Sequence, residues 1–429
     1  MPDATPEPLE QFRERLRAWL SDNMPRATRP GMGMSMAQGQ LSDEEELAEV
    51  THHRELQRRL FDAGFAGICF PEEYGGQGLT PAHQQVFNDE IWPYEWPARF
   101  QVPTLQPCAT VILDYGTEEQ KREHLPAILR GDEIWMQLLS EPTGGSDVAG
   151  AQTTAVRDGD VWVLNGSKIW TTGAWWADWG LCLARTNWDV PKHRGLTVFM
   201  LRIHQPNIEV HRIEMLNGSR EFCQEFLTDV VVPDSDRVGD VDQGWTVGTR
   251  WMFYEKSFGM LPFTTRPTPP PGAKAGGGPM RGVGAGYIRD ARRAGRLDDT
   301  ATRGLIGEAH ALGLAAGAGY QRIGTAIATG KLSDQAAGLT KIIGGTLGIR
   351  LSNIALQLTG PSAAAWSQDN AAAGERGTAF LVRQAGQMAG GTVEMARNVV
   401  SERLLGMPRE SSIDREVPFR DVPRGPSAH

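Results

Sequence analysis

QLLSEPTGGSDVAG at 137–150, followed by NGSKIWTT at 165–172, is the part of this chain that decides how the rest is read. In the first segment apolar Leu138 and Leu139 run into Ser140, whose hydroxyl can both donate and accept. Pro142, Gly144 and Gly145 then bring the backbone close to whatever lies beside it, because glycine has no Cβ to block approach. Asn165-Gly166 reads as a turn. Beyond it, Trp170 offers a wide aromatic face, and Thr171 and Thr172 add two hydroxyls. Shape alone fits two sandwich strands joined by a loop. The pairing of the two halves points further, to a shelf for a flat, hydrogen-bonding cofactor.

Working outward, the hydrophobic pattern divides the chain into three. Up to about residue 133 the apolar period is helical: LEQFRERLRAWL repeats Leu9, Phe12, Leu16, Trp19 and Leu20 along one face. A second helical stretch, EELAEVTHHRELQRRLFDAG, stops at a glycine. From 134 to 236 short runs with Asp-Gly and Asn-Gly turns, such as TTAVRDGDVWVLNGSKIWTT, WGLCLART and GLTVFMLRI, predict an antiparallel sheet. Helical patterning returns at Gly244 and lasts to about Leu405. The expected architecture is mainly α with a central β-domain: a helical domain over 1–133, a β-domain over 134–236 and a helical bundle over 237–429. Within the last part, the Pro- and Gly-rich stretch 262–286 predicts a mobile loop, and the polar tail after Arg409 predicts fraying.

Composition narrows the function. Among the 429 residues, 52 Asp and Glu against 43 Lys and Arg give a net charge of −9, which excludes nucleic acid as the main partner. Four cysteines without repeated spacing predict free thiols in a reducing, cytoplasmic setting. The polar N-terminus predicts no secretory signal, and no apolar run approaches the ~20 residues of a membrane span. Sequons at Asn165 and Asn217 are more simply Asn-Gly turns. The histidines lack metal-ligand spacing, and no GxSxG elbow is present.

Three further passages share an order with the opening one: LFDAGFAGICFPEEYGGQGLT at 60–80, YGTEEQKREHLPAILRGDEIWMQLLSEPTGGSD at 115–147 and GGTVEMARNVVSERLLG at 390–406. Together they resemble the acyl-CoA dehydrogenase family. The resemblance implies a helical, β, helical domain order and an FAD-dependent α,β-dehydrogenation of an acyl-CoA. In that chemistry a carboxylate takes the Cα proton while flavin takes the Cβ hydride. One of the family's two places for the base reads Ala389, Gly390, Gly391, Thr392 here, and glycine cannot act as a base. The other lies on the helix beginning at Gly244, where Glu255 stands among Trp251, Met252, Phe253, Tyr254 and Phe258. Apolar surroundings of that kind raise a carboxylate's proton affinity toward working pH. The plainer role for Glu255 is a surface pair with Lys256.

The resemblance also implies the cofactor contacts. Leu139 and Ser140 match the ring's pyrimidine edge, and Gln137 matches a nearby ring contact. Gly145 and Ser146 match the loop that meets cofactor or pantetheine. Trp170 lies against the ring, with Thr171 and Thr172 beside it. Thr392 and Glu394 match the adenosine half, although Thr392 also suits a helix N-cap. Gln357 and Gly360, in QLTGPSAAAW, match a segment that approaches the pyrophosphate of a neighbouring subunit. The family's Arg-x-x-Phe-Gly motif is absent; Arg289, Arg292 and Arg293 nearby suit phosphate or a solvated helix face equally. That loss resembles bacterial members acting on bulky acyl-CoAs, some of them heteromers. Implied partners are the acyl-CoA, an electron-transfer flavoprotein, and a second subunit in a homo-oligomer or heteromer. Two other readings stand beside this one: a base-poor partner subunit of a heteromeric dehydrogenase, and a flavin monooxygenase on the same fold.

Overall fold

The computed structural model describes residues 6–28, 41–257, 261–270, 283–365, 371–412 and 414–423. Helix α1 (Leu9–Asn23) buries Phe12, Leu16 and Leu20, whose spacing of four puts them on one face. They pack with Leu56 and Leu60 of α2 (Asp43–Asp62) and Phe87 of α3 (Pro81–Glu90). Ser42 and Glu45 form a capping box at the start of α2, and left-handed Gly64 follows its end. Two shorter helices, α4 (Thr110–Tyr115) and α5 (Glu118–Arg130), then lead to the sheet.

Eight strands form that sheet: β1 (Trp135–Leu138), β2 (Thr154–Asp158), β3 (Val161–Thr172), β4 (Trp179–Arg185), β5 (Leu196–Arg202), β6 (Ile208–Ile213), β7 (Phe222–Pro233) and β8 (Arg237–Val238). The order is β6-β7-β3-β2-β4-β5-β8, with β1 added alongside β4. Most pairs are antiparallel, but β1 runs parallel to β4. Side chains alternate along β4 and β5 between two cores. Leu181, Leu183, Val198 and Met200 face Trp135 and Trp251. Cys182, Ala184, Phe199 and Leu201 face Trp162, Leu164, Val230 and Val232. Both faces of these strands are covered, so their sequences are apolar apart from Thr197 and the terminal Arg185 and Arg202.

One turn expectation fails here. Asn165-Gly166 lies inside β3, at a register shift against β7, and the hairpin turn falls earlier, at Gly159. A Cβ on Gly166 would sit 2.6 Å from Thr153 Oγ1, so the glycine lets β3 pass close to that segment, opposite a bulge whose extra residue lies on β7. Asn217-Gly218 does form a turn, closed by Gly218 N–H donating to Met215 O at 2.8 Å.

Helix α6 (Gly244–Lys256) leaves the sheet directly. A Cβ on Gly244 would overlap the Leu196 carbonyl, which lets the helix start flush against β5. The bundle follows: α7 (Val283–Arg293), α8 (Thr300–Ala328), α9 (Ala337–Thr359), α10 (Ala371–Leu381), α11 (Ala385–Met388) and α12 (Val393–Val399). Its core includes Ala291, Ala309, Leu347, Leu351, Ile354 and Leu358.

Two loop expectations need correction. In the stretch 262–286, the first residues are pinned to the N-terminal domain: Phe263 packs edge-on against Phe70 at 5.1 Å, and Thr265 N–H donates to Gln101 Oε1 at 2.6 Å. Its last residues already belong to α7, and 271–282 lie outside the described residues. The tail is also docked, up to Val422. Phe419 is buried, stacked on Trp188 at 5.3 Å and under the Arg185 guanidinium at 4.0 Å. An aromatic ring with a cation and a second ring to cover it outweighs the polar composition around it. Among the described residues, no helix is long and apolar enough to cross a membrane, and no cluster of His, Cys, Asp and Glu suits a metal ion.

Candidate active site

Glu255 sits in the last turn of α6, and the elements around it converge on its carboxylate. The side chain of Gln137, on β1, lies beside Glu255 and favours its ionised form, while its Oε1 accepts from Trp251 Nε1 at 2.8 Å. Trp251 itself is fully buried one turn earlier on α6. Gln106 donates from Nε2 to Tyr254 O at 2.6 Å, fixing the helix end from the segment before α4. The Tyr254 hydroxyl donates to Asp114 Oδ2 at 2.7 Å, and Arg250 joins the same carboxylate at 2.9 Å. From the bundle, a Cβ on Gly390 would lie 3.8 Å from Glu255 Oε1. Residues 255 and 390, the two places the sequence offered for a base, therefore face each other across one point.

The electrostatics follow from this packing. Glu255 keeps some exposed area, yet its carboxylate is closely walled, and loss of water raises its pKa above the usual carboxylate value. The Gln137 side chain and the charges of Lys256 and Lys341 pull the other way without cancelling it. Lys341, on α9, donates to Gly386 O at 3.0 Å and also to Ala389 O. Burial lowers its own pKa, and the Glu255 charge partly restores it. The ammonium thus holds the chain just before Gly390 and faces the carboxylate.

The shelf lies on β3 and the loop after β1. Ile169 N–H donates to Ser140 O at 3.0 Å, joining loop and strand. Trp170 occupies a bulge with φ 66°, 51% exposed, with Phe222 edge-on at 5.9 Å. Among the described residues the hydroxyls of Ser140, Ser146 and Thr172 make no hydrogen bond. Gly145 comes near Ser140, where its Cβ would lie 3.5 Å from Oγ. Thr171 differs: its hydroxyl donates inward to Glu225 Oε2 at 2.8 Å, leaving only its backbone for the shelf. Gln137 differs too, since its amide is engaged with Trp251 and Glu255.

Beneath the shelf are groups the sequence reading passed over. Lys168 is fully buried and donates to Glu141 Oε1 at 2.8 Å and Leu183 O at 2.6 Å; Leu139 O lies at 3.5 Å. Glu141 also accepts from the N–H groups of Gln152 and Thr153, at 2.6 and 2.9 Å. Burial alone would raise its pKa, but Lys168 and these donors hold it below the usual value. Outside, Lys192 links Asp147 of the same loop, at 2.9 Å, to Asp414 of the tail, at 2.8 Å.

The remaining candidates lie on the bundle. Thr392 is the N-cap of α12, its Oγ1 accepting from Met395 N at 3.1 Å, and Glu394 is exposed in the first turn. Gln357 is exposed near the end of α9, and Gly360 closes that helix with φ 72°. Arg289, Arg292 and Arg293 are exposed on α7.

Comparison with known proteins places this geometry. "Acyl-CoA dehydrogenase, N-terminal domain" matches residues 34–132, and "Acyl-CoA dehydrogenase, middle domain" matches 137–230. The acyl-CoA dehydrogenase IpdE1 of Mycobacterium tuberculosis is 30% identical over 94% of this chain and 99% of its own length. The chain belongs to the acyl-CoA dehydrogenase family. As such it is an oxidoreductase acting on the CH–CH bond of acyl-CoAs. Among solved structures, the Tcur3481-Tcur3483 steroid ACAD superposes with TM-score 0.71 at 28% identity, covering 96% of this chain and all of that one. The ChsE4-ChsE5 complex from Mycobacterium tuberculosis superposes with TM-score 0.66 at 26% identity, covering 96% and 100%. The helical, β, helical architecture is shared with these dehydrogenases.

Proposed function

We propose that this member uses Glu255 as the general base that removes the Cα proton of a bulky acyl-CoA. The observation that carries the proposal is the Glu255 carboxylate itself, walled at the junction of α6, β1 and the Gly390 segment, with raised proton affinity. A carboxylate tuned upward suits proton abstraction near neutral pH. FAD fits the shelf: an exposed indole and a row of hydroxyls without partners suit a flat ring with a hydrogen-bonding edge. Leu139, Ser140, Gly145, Ser146, Trp170 and Thr172 would hold the ring side, Thr392 and Glu394 the adenosine half, and Gln357 and Gly360 the pyrophosphate of a neighbouring subunit. When bound, it supplies the acceptor for the Cβ hydride. The protein's own residues keep Glu255 fixed, keep water from it, and leave the opposite wall at Gly390 and Gly391 without side chains.

That bare wall, together with the likeness to a steroid ACAD, supports a ring-bearing or branched acyl group. The likeness to the ChsE4-ChsE5 complex supports assembly with an identical or related subunit. Electrons would leave to an electron-transfer flavoprotein. Glu255 itself opposes both the base-poor subunit and the monooxygenase readings. The test is Glu255→Gln: yellow protein with turnover down about 10²–10⁴-fold is expected. Near-normal turnover on an acyl-CoA panel with an artificial acceptor would remove Glu255 from the role.

A further inference from the structure

We infer that Gln137 is a positioning residue for Glu255, acting as an amide clamp between Trp251 and the carboxylate. The inference rests on the reading of Glu255 as base. A primary amide offers one acceptor oxygen and two N–H donors, and which end points where is fixed by its neighbours. Here the indole N–H of Trp251 can only donate, and it meets Gln137 Oε1 at 2.8 Å. The oxygen is therefore turned to Trp251. The NH₂ end is left to face the Glu255 side, where Gln137 favours the ionised carboxylate. Trp251 and Glu255 are four residues apart on α6, so one glutamine on β1 spans a single turn of that helix.

The clamp has a chemical consequence. An N–H donor aimed at a carboxylate favours the ionised form, while the surrounding loss of water disfavours it. The other groups facing the carboxylate are Lys256 on its own helix, Lys341 on α9 and the buried Cys108 thiol before α4. None of them reaches it through β1. Gln137 thus moderates the upward shift and holds one carboxylate rotamer, and both serve a base that must be ionised before it can accept a proton.

Replacing Gln137 with Met keeps length and removes the donor. The acid limb of the kcat/KM profile should move about one unit to higher pH, consistent with the loss of a hydrogen bond to a charged group. The loss of rate should be largest on the acid side and shrink as pH rises, compared at equal flavin content. Infrared titration of the carboxyl stretch without substrate should show the same displacement. Trp251→Phe, which keeps a buried ring but frees the amide, should give a smaller shift of the same sign and covers the case of a poorly folded Gln137→Met. A rate loss uniform across pH, with the acid limb in place in both variants, would overturn the clamp. Glu255→Gln measured in parallel separates the two ideas, because normal turnover there defeats the base assignment whatever Gln137→Met does.

Discussion

Glu141, in the loop after β1, and Glu255, in the last turn of α6 beside β1, are both withdrawn from water, and their surroundings send them opposite ways. Around Glu141, a buried ammonium and two backbone N–H groups meet the oxygens, and its pKa is held low despite burial. Around Glu255 there is one amide donor and two lysine charges, and burial wins. Depth alone does not decide what a carboxylate does. The number of donors that reach it does: a saturated carboxylate is a rivet, and an under-supplied one is left with affinity for a proton.

The contrast can be broken most forcefully at Lys168. Lys168→Met strands Glu141 as an unpaired buried charge, and stability should fall by about 3–5 kcal/mol in chemical denaturation. A loss below ~1 kcal/mol would mean that the two backbone donors suffice alone. A third carboxylate sharpens the rule. Glu225 is fully buried, accepts a side-chain hydrogen bond from Thr171, and burial pushes it up to about 8. An unfolded glutamate titrates near about 4.3. Between those values the folded state holds a proton the unfolded chain has released, so stability falls as pH rises through that window. Glu225→Gln cannot ionise and should gain on the parent by on the order of 2–4 kcal/mol between pH 5 and pH 8. Parallel pH profiles for the two proteins would count against this. The mildest change is Gly390→Ala on the open side of Glu255. With φ at 66°, a side chain there should cost about 1 kcal/mol and slow bulky acyl-CoAs more than small ones. Equal slowing of all substrates would show that the bare wall does not select for size.

Much of this was legible in the sequence, and the reasons differ by element. The first two helices announced themselves through period and a closing glycine, whereas the caps at Ser42 and Thr117 went unread. Strands β4 and β5 read as apolar runs because both their faces are covered. Glu255 was found from family likeness and apolar neighbours, but its meeting with Gly390 is a tertiary fact no local pattern contains. Lys168 left a usable trace: alternation from Trp162 and Leu164 puts it on the inner face of β3, where a lysine requires a carboxylate. Asn165-Gly166 misled because a glycine that suits a turn also suits close approach inside a strand, and only the nearness of Thr153 tells them apart. The tail misled because composition counts charges and overlooks one well-placed ring, Phe419.

Lys192 gives that tail a mechanical meaning. Its one ammonium ties Asp414 to Asp147, and Asp147 ends the glycine loop of the shelf. Beyond Asp414 the tail is held separately by Phe419 on Trp188 and Arg185, so the Lys192 pair joins the loop to a segment that is itself anchored. A change at Asp414 is therefore also a change at the loop, made through one ammonium shared between two carboxylates.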